Sequence, residues 1–278
     1  MTEKTKAIKQ NQMKTYIGLD IGGTKTYGGL ITEKGDIIRT KEIPSRAKEG
    51  NKAIMESVAG LIHDLKSDTK IAGVGIGLAG QVDHVNNRIA FAGPNFITDF
   101  KGLNLVPKLF KEFSVPIVLE NDANVYGLGE AIFGAGKGYR RVVAVTLGTG
   151  IGGAIVQDKT IQHGKNNLAG EFGQMLTRGQ KKSWEKLAAG GAFNRRQDFE
   201  VGAELLAEGF ANILYSLDPD VLVIGGGLSR EPGLVALAKK KTHELLYYPD
   251  LKKTPIVKSQ LLRTSPILGA MLVVRGTK

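Results

Sequence analysis

The stretch YIGLDIGGTKTYGGLI, residues 16–31, is the part of the chain from which the rest can be read. An apolar strand stops at Asp20, turns on Gly22 and Gly23, passes Thr24 and Lys25, and becomes apolar again. Glycines let a backbone approach a ligand closely. The N–H groups of such a turn can form an anion-binding concavity without any helix. Asp20 adds a fixed negative charge and Lys25 a positive one. Taken alone, the stretch is equally readable as a β-hairpin turn with surface charges.

Outward from it, residues 1–13 read as a disordered tail. Strand-like runs lie at 16–22, 27–32 and 37–43, the last two joined by the EKGD turn at 33–36. Ile54, Val58, Leu61, Ile62 and Leu65 recur at helical spacing, which predicts a helix over 51–66. The near-continuous apolar runs 71–78 and 115–120 read as strands covered on both faces, with a helix at 103–113 between them. In the second half a strand at 142–147 enters the turn GTGIGG, and 154–157 returns. A helix at 201–217 is stopped by Pro219. The run VLVIGGG then carries a strand into a third glycine turn, Gly225, Gly226 and Gly227. LDIGGTKTYGGLI and VTLGTGIGGAIV share one grammar of strand, glycine turn, strand. A duplicated lobe with two phosphate-facing hairpins explains the pair; chance likeness of two glycine-rich hairpins is the rival.

Composition narrows the classes. The 278 residues are 42% hydrophobic and 23% charged, enough for one large domain or two lobes with real cores. The sequence holds no cysteine, which excludes disulfides and thiolate metal sites and favours a cytoplasmic address. The first residues, MTEKTKAIKQNQMKT, have no apolar core for a signal peptide. No run approaches the roughly 18 apolar residues of a membrane span, so no membrane partner is expected. The net charge of +11 suits nucleic acid, an anionic substrate or plain solubility. Two stretches match G-x-G-x-x-G, at Gly75, Gly77, Gly80 and at Gly148, Gly150, Gly153. A dinucleotide site needs a helix after that turn. QVDHVNNRIAFAG and AIVQD read instead as turn and strand, and both matches are rejected. No G-x-x-x-x-G-K-[ST] is present.

DIGGTK at 20–25, GLAGQVD at 77–83, GPNF at 93–96, ENDAN at 120–124, TLGTGIGG at 146–153, AGEFG at 169–173 and IGGGLS at 224–229 occur in that order. Together they resemble the ROK family of bacterial sugar kinases, repressors and open reading frames, over roughly residues 15–272. The resemblance implies an α/β, two-lobed actin/hexokinase-like (ribonuclease H-like) fold with a cleft between the lobes. The lobes are expected at 14–119, joined by 263–278, and at 120–262. It implies transfer of the γ-phosphoryl group of ATP to a hexose hydroxyl, glucokinase-like and at the 6-hydroxyl. Carried over by position, Gly22, Gly23, Thr24, Lys25, Gly148, Thr149 and Gly150 hold phosphates, and Gly225, Gly226 and Gly227 lie near the adenosine. Gly80, Asn95, Asn121, Asp122 and Glu171 fall on sugar-contacting positions.

The residue types suit that chemistry. Phosphoryl transfer needs positioning and charge neutralisation more than covalent help. Asp122 is assigned as general base for the sugar hydroxyl; its rival role is an Asx cap on the succeeding helix. Asp20 is assigned to Mg²⁺ through water, because a hard cation prefers oxygen and keeps its waters; its rival is turn formation. For Lys25 the rival is a solvated lysine, and for Glu171 an exposed loop glutamate. Zinc-bearing members place His where this chain has Gln174, and after it a cysteine loop that is missing here, so no zinc is expected. SWEKLAAGGAF still resembles the segment C-terminal to that loop, which puts Glu185 on a sugar-contacting position; a capped helix start is its alternative. Gln174 keeps hydrogen-bonding capacity toward the sugar.

Three other functions compete. A sugar-responsive regulator of the same family would need a helix-turn-helix ahead of the first strand, where about 15 residues stand. A polyphosphate-dependent glucokinase would use the basic charge. A non-catalytic scaffold would not need both Asp20 and Asp122. The expected partners are a hexose and a second copy of the chain, with no nucleic acid.

Overall fold

The computed structural model describes residues 13–92, 103–177, 179, 181–196 and 198–276. The expected tail lies outside them except for Met13, and so does the GPNF motif with Asn95. The first strand, β1 (Thr15–Ile21), is buried on both faces. It pairs antiparallel with β2 (Lys25–Thr32), and β2 pairs with β3 (Ile37–Pro44). α1 (Asn51–Lys66) lays Ile54, Val58, Leu61, Ile62 and Leu65 into the core, at the spacing read from the sequence. β4 (Val74–Leu78) runs parallel to β1. The strand expected from residue 71 is regular only from Val74; before it two bonds, Ala72 N–H to Thr15 O at 2.7 Å and Ile17 N–H to Gly73 O at 3.0 Å, tie the run to β1. β5 (Gln81–Asp83) and β6 (Arg88–Phe91) form a separate hairpin. α2 (Leu105–Phe113) leads to β7 (Ile117–Asn121), parallel to β4. The sheet order is β3-β2-β1-β4-β7.

After α3 (Asp122–Phe133) the pattern repeats. β8 (Arg141–Leu147), β9 (Ile151–Gln157) and β10 (Thr160–Ile161) are antiparallel neighbours. α4 (Trp184–Ala188), α5 (Gly190–Arg196) and α6 (Phe199–Leu217) precede β11 (Val221–Gly225), which is parallel to β8. α7 (Leu234–Leu245) and α8 (Pro249–Lys253) lead to β12 (Ile256–Lys258), parallel to β11, and α9 (Ser265–Arg275) ends the fold. The order β10-β9-β8-β11-β12 repeats the first sheet strand for strand. The two glycine-turn hairpins are therefore one topological element used twice. Among the described residues, no helix is long and apolar enough to cross a membrane.

Each sheet has its own core, and a third cluster joins them through α3 and α9, with Tyr126, Leu128, Ile267 and Met271 packed among strand residues of both sheets. The two helices touch backbone to backbone: a Cβ on Gly269 would stand 1.7 Å from Val125 O. Glu130, fully buried on α3, fixes the loop before α9. It accepts from Ser259 Oγ at 2.6 Å, Ser265 Oγ at 2.5 Å and Leu261 N–H at 3.2 Å. The parallel strands β1, β4 and β7 end at one edge of the first sheet, where ligands of such sheets bind.

Candidate active site

Three strand ends supply the first group. Asp20 closes β1 just before the turn, which Gly22 N–H clamps by donating to Lys25 O at 2.9 Å. Gly80 comes after β4 with φ +126°, a conformation open to glycine, and a Cβ there would meet Phe91 O at 2.6 Å. At the end of β7, Asn121 is the cap of α3: its Oδ1 accepts from Asn124 N–H at 3.1 Å, and its Nδ2 donates to Gly80 O at 2.9 Å. The capping role that competed for Asp122 thus belongs to its neighbour. Asp122 stands in the first turn of α3, half-buried, with Ala123 N–H donating to its Oδ1 at 2.9 Å.

The electrostatics set these carboxyls apart. Burial, then the charge of Asp122, raises Asp20 from an ordinary 3.8 to about 7. Burial also raises Asp122, against the lowering pull of the Ala123 and Asp122 backbone N–H groups and the Asn121 side chain. Glu171 is raised by desolvation first and then by the charges of Asp122 and Glu185, although the residue as a whole is exposed. Asp20, Asp122, Glu171 and Glu185 therefore share one field.

The second sheet contributes the facing group. Gly148 N–H donates to Gly150 O at 2.9 Å, and Gly148 O accepts from Gly190 N–H at 2.9 Å, so the start of α5 braces the turn. Thr149 is exposed at its tip. Glu185, in the first turn of α4, accepts from Ile151 N–H through Oε2 at 2.9 Å, which fastens it to this turn. Glu171 caps a single 3₁₀ turn that ends at Gln174, whose N–H donates to Glu171 O at 3.1 Å. Ser183 caps α4 without a side-chain bond.

A cavity of about 290 Å³ opens beside Asp20. It is lined by Lys25, Tyr27, Glu42, Tyr126, Thr146 and Arg230, together with Gly226, Gly227 and the loop before α9. Lys25 is exposed, and its Nζ pairs with Glu42 Oε1 at 2.6 Å. Sequence reading had no signal for Glu42, Tyr126, Arg230 or Arg263, which sit in separate segments outside every motif. The four histidines lie far apart in the sequence. The fold stacks His84 on His163 with ring centroids 3.7 Å apart, and His163 Nε2 meets the buried Glu120 Oε2 at 2.6 Å.

Comparisons with known proteins agree with this geometry. The family model described as the ROK family matches residues 16–200 and 196–277. An uncharacterised protein of Clostridium perfringens is 32% identical, over 93% of this chain and 97% of the relative. A glucokinase of Streptomyces coelicolor is 30% identical, over 84% of this chain and 88% of the relative. The crystal structure of a ROK family glucokinase from Streptomyces griseus in complex with glucose and AMPPNP superposes with a TM-score of 0.83 at 27% identity, covering 95% of this chain and 100% of that one.

Proposed function

The chain belongs to the ROK family, and from that premise we propose that it is an ATP-dependent hexose kinase acting on the 6-hydroxyl, glucokinase-like. The observation that carries the reading is the pair of topologically equivalent glycine hairpins, with Asp20 at the end of one strand and Asp122 in the same field. One hairpin per sheet offers backbone N–H groups to each end of a phosphate chain. In this reading the glycines that end and follow the buried strand β11, Gly225, Gly226 and Gly227, lie near the adenosine, and Gly227 has open space beside it.

In this reading Gly80, Asn95, Asn121, Glu171, Gln174 and Glu185 hold the sugar hydroxyls, and Asp122 takes the proton of the reacting one. The freed oxygen attacks the γ-phosphorus, the bond to the β–γ bridging oxygen breaks, and ADP leaves with that electron pair. The raised pKa of Asp122 makes it a better proton acceptor than an ordinary aspartate. Glu171 and Glu185 penalise sugars that lack the matching hydroxyls.

The acidic residues fit magnesium. Among the described residues no group of three His, Cys, Asp or Glu is placed to cage a metal. A lone carboxylate such as Asp20 suits an ion that keeps several waters and takes its other ligands from substrate phosphates. Bound there, magnesium would neutralise charge on the transferring phosphoryl group.

The test is ADP release across glucose, mannose, fructose and N-acetylglucosamine, with ATP and with polyphosphate, at low salt and at about 0.3 M salt. The net charge of +11 and the missing cysteine loop favour polyphosphate, and binding to a polyanion weakens steeply with salt. Turnover of a hexose with ATP at both salt levels is expected. A faster rate with polyphosphate that collapses at high salt would overturn the choice of donor; no turnover of any sugar would overturn the enzyme.

A further inference from the structure

The loop before α9 and the first turn of that helix carry no motif, yet they deliver Leu262, Arg263 and Pro266 to the cavity beside the first glycine turn. Arg263 lies over the ring of Tyr27, its guanidinium carbon 4.0 Å from the centroid. Its Nη2 donates to Glu42 Oε2 at 3.0 Å, while Lys25 donates to the other oxygen of the same carboxylate at 2.6 Å. One carboxylate thus holds two cations at the mouth of one cavity, and Arg230 adds a third. Against these three stand only Asp20 and Glu42 among the lining residues. The lip is cationic.

The floor of the cavity is aromatic. Tyr126 is 6% exposed and lines it; beside its hydroxyl stand those of Ser259 and Ser265, which donate to Glu130.

We infer that Arg263 is a donor-binding residue. When a nucleoside triphosphate enters, the guanidinium exchanges Glu42 for phosphate oxygens, and Glu42 is the internal anion that keeps Arg263 and Lys25 in place until then. A planar guanidinium presents five donors matched to phosphate, and here one nitrogen is committed to Glu42. The Tyr27 face holds the plane in orientation during the exchange. A triphosphate carries more charge than one carboxylate, so it wins both cations. Glu130 serves as a positioning residue, because it fixes the loop on which Arg263 stands.

The inference rests on the proposed nucleotide-dependent reading, and the experiment separates the two. MgATP and, separately, glucose are titrated calorimetrically into wild-type protein, R263Q and E42Q. R263Q is expected to weaken MgATP about tenfold, the scale of a partly exposed charged hydrogen bond, and to leave glucose affinity within about twofold. E42Q is expected to tighten MgATP about threefold at low salt, a gain lost at about 0.3 M salt. The Arg263 side chain is 56% exposed and that of Glu42 35%, and unchanged glucose binding reports an intact fold. R263Q that binds MgATP like wild type overturns the inference, as does E42Q that weakens it. Wild-type protein that binds glucose and no MgATP overturns the proposed donor, and the inference with it.

Discussion

Replacing Asp20 by Asn should stabilise the ligand-free protein above neutral pH. Burial and the Asp122 charge move the Asp20 carboxyl from 3.8 to about 7. Each factor of ten in acid strength is worth about 1.4 kcal/mol, so ionising this group in the folded chain costs up to about 4 kcal/mol. Between pH 3.8 and about 7 the native chain holds a proton that the unfolded chain has released. Stability therefore falls as pH rises through that window, and the loss is complete above about 7. Asp20 is only half-buried and shares its field with another carboxylate, so we expect about half the full cost. Asn is nearly isosteric and has no charge to desolvate. Urea unfolding of wild type and D20N, without nucleotide or magnesium, should give a stability difference that grows in favour of D20N by about 1–2 kcal/mol between pH 5 and pH 8.5. Magnesium should recover part of the difference for wild type and none for D20N. A difference that does not change with pH, or D20N less stable than wild type at pH 8.5, would refute the reasoning.

Asp122→Asn should keep the fold and hexose binding but lower kcat at least about 10²-fold, the usual scale for a general base, as read by ADP release. Gly269→Ala should destabilise the protein severely in thermal melting, since its Cβ would stand 1.7 Å from Val125 O, backbone that cannot step aside. Gly60→Ala, mid-helix in α1 with nothing within 4 Å of the added Cβ, should stabilise it by about 0.5–1 kcal/mol in the same measurement. Hexose binding should draw the two sheets together, because water left in the cleft would take the phosphoryl group in place of the sugar. Solution scattering at saturating sugar should show a smaller radius, and an unchanged one would count against closure.

The local elements and their doubling were legible in the chain alone. The near-continuous apolar runs 71–78 and 115–120 read as strands covered on both faces, and the strands there, β4 and β7, have parallel neighbours. The helical spacing of Ile54, Val58, Leu61, Ile62 and Leu65 marked α1 over its whole length. The two glycine turns were legible because glycines clustered at the end of an apolar run leave a compositional trace. Asp20 and Asp122 were legible through the motifs around them. Tertiary structure settled the rest. Whether Asn121 or Asp122 caps α3 depends on a backbone angle, and the answer freed Asp122. The rise of Asp20 comes first from burial and then from the charge of Asp122, in the first turn of a helix about a hundred residues away, and neither is visible in sequence separation. Arg263, Glu42, Lys25 and Tyr126 come from four elements and carry no shared pattern. They meet because α3 and α9 pack backbone to backbone between the two sheets, and charge at a cavity lip is a property of that packing.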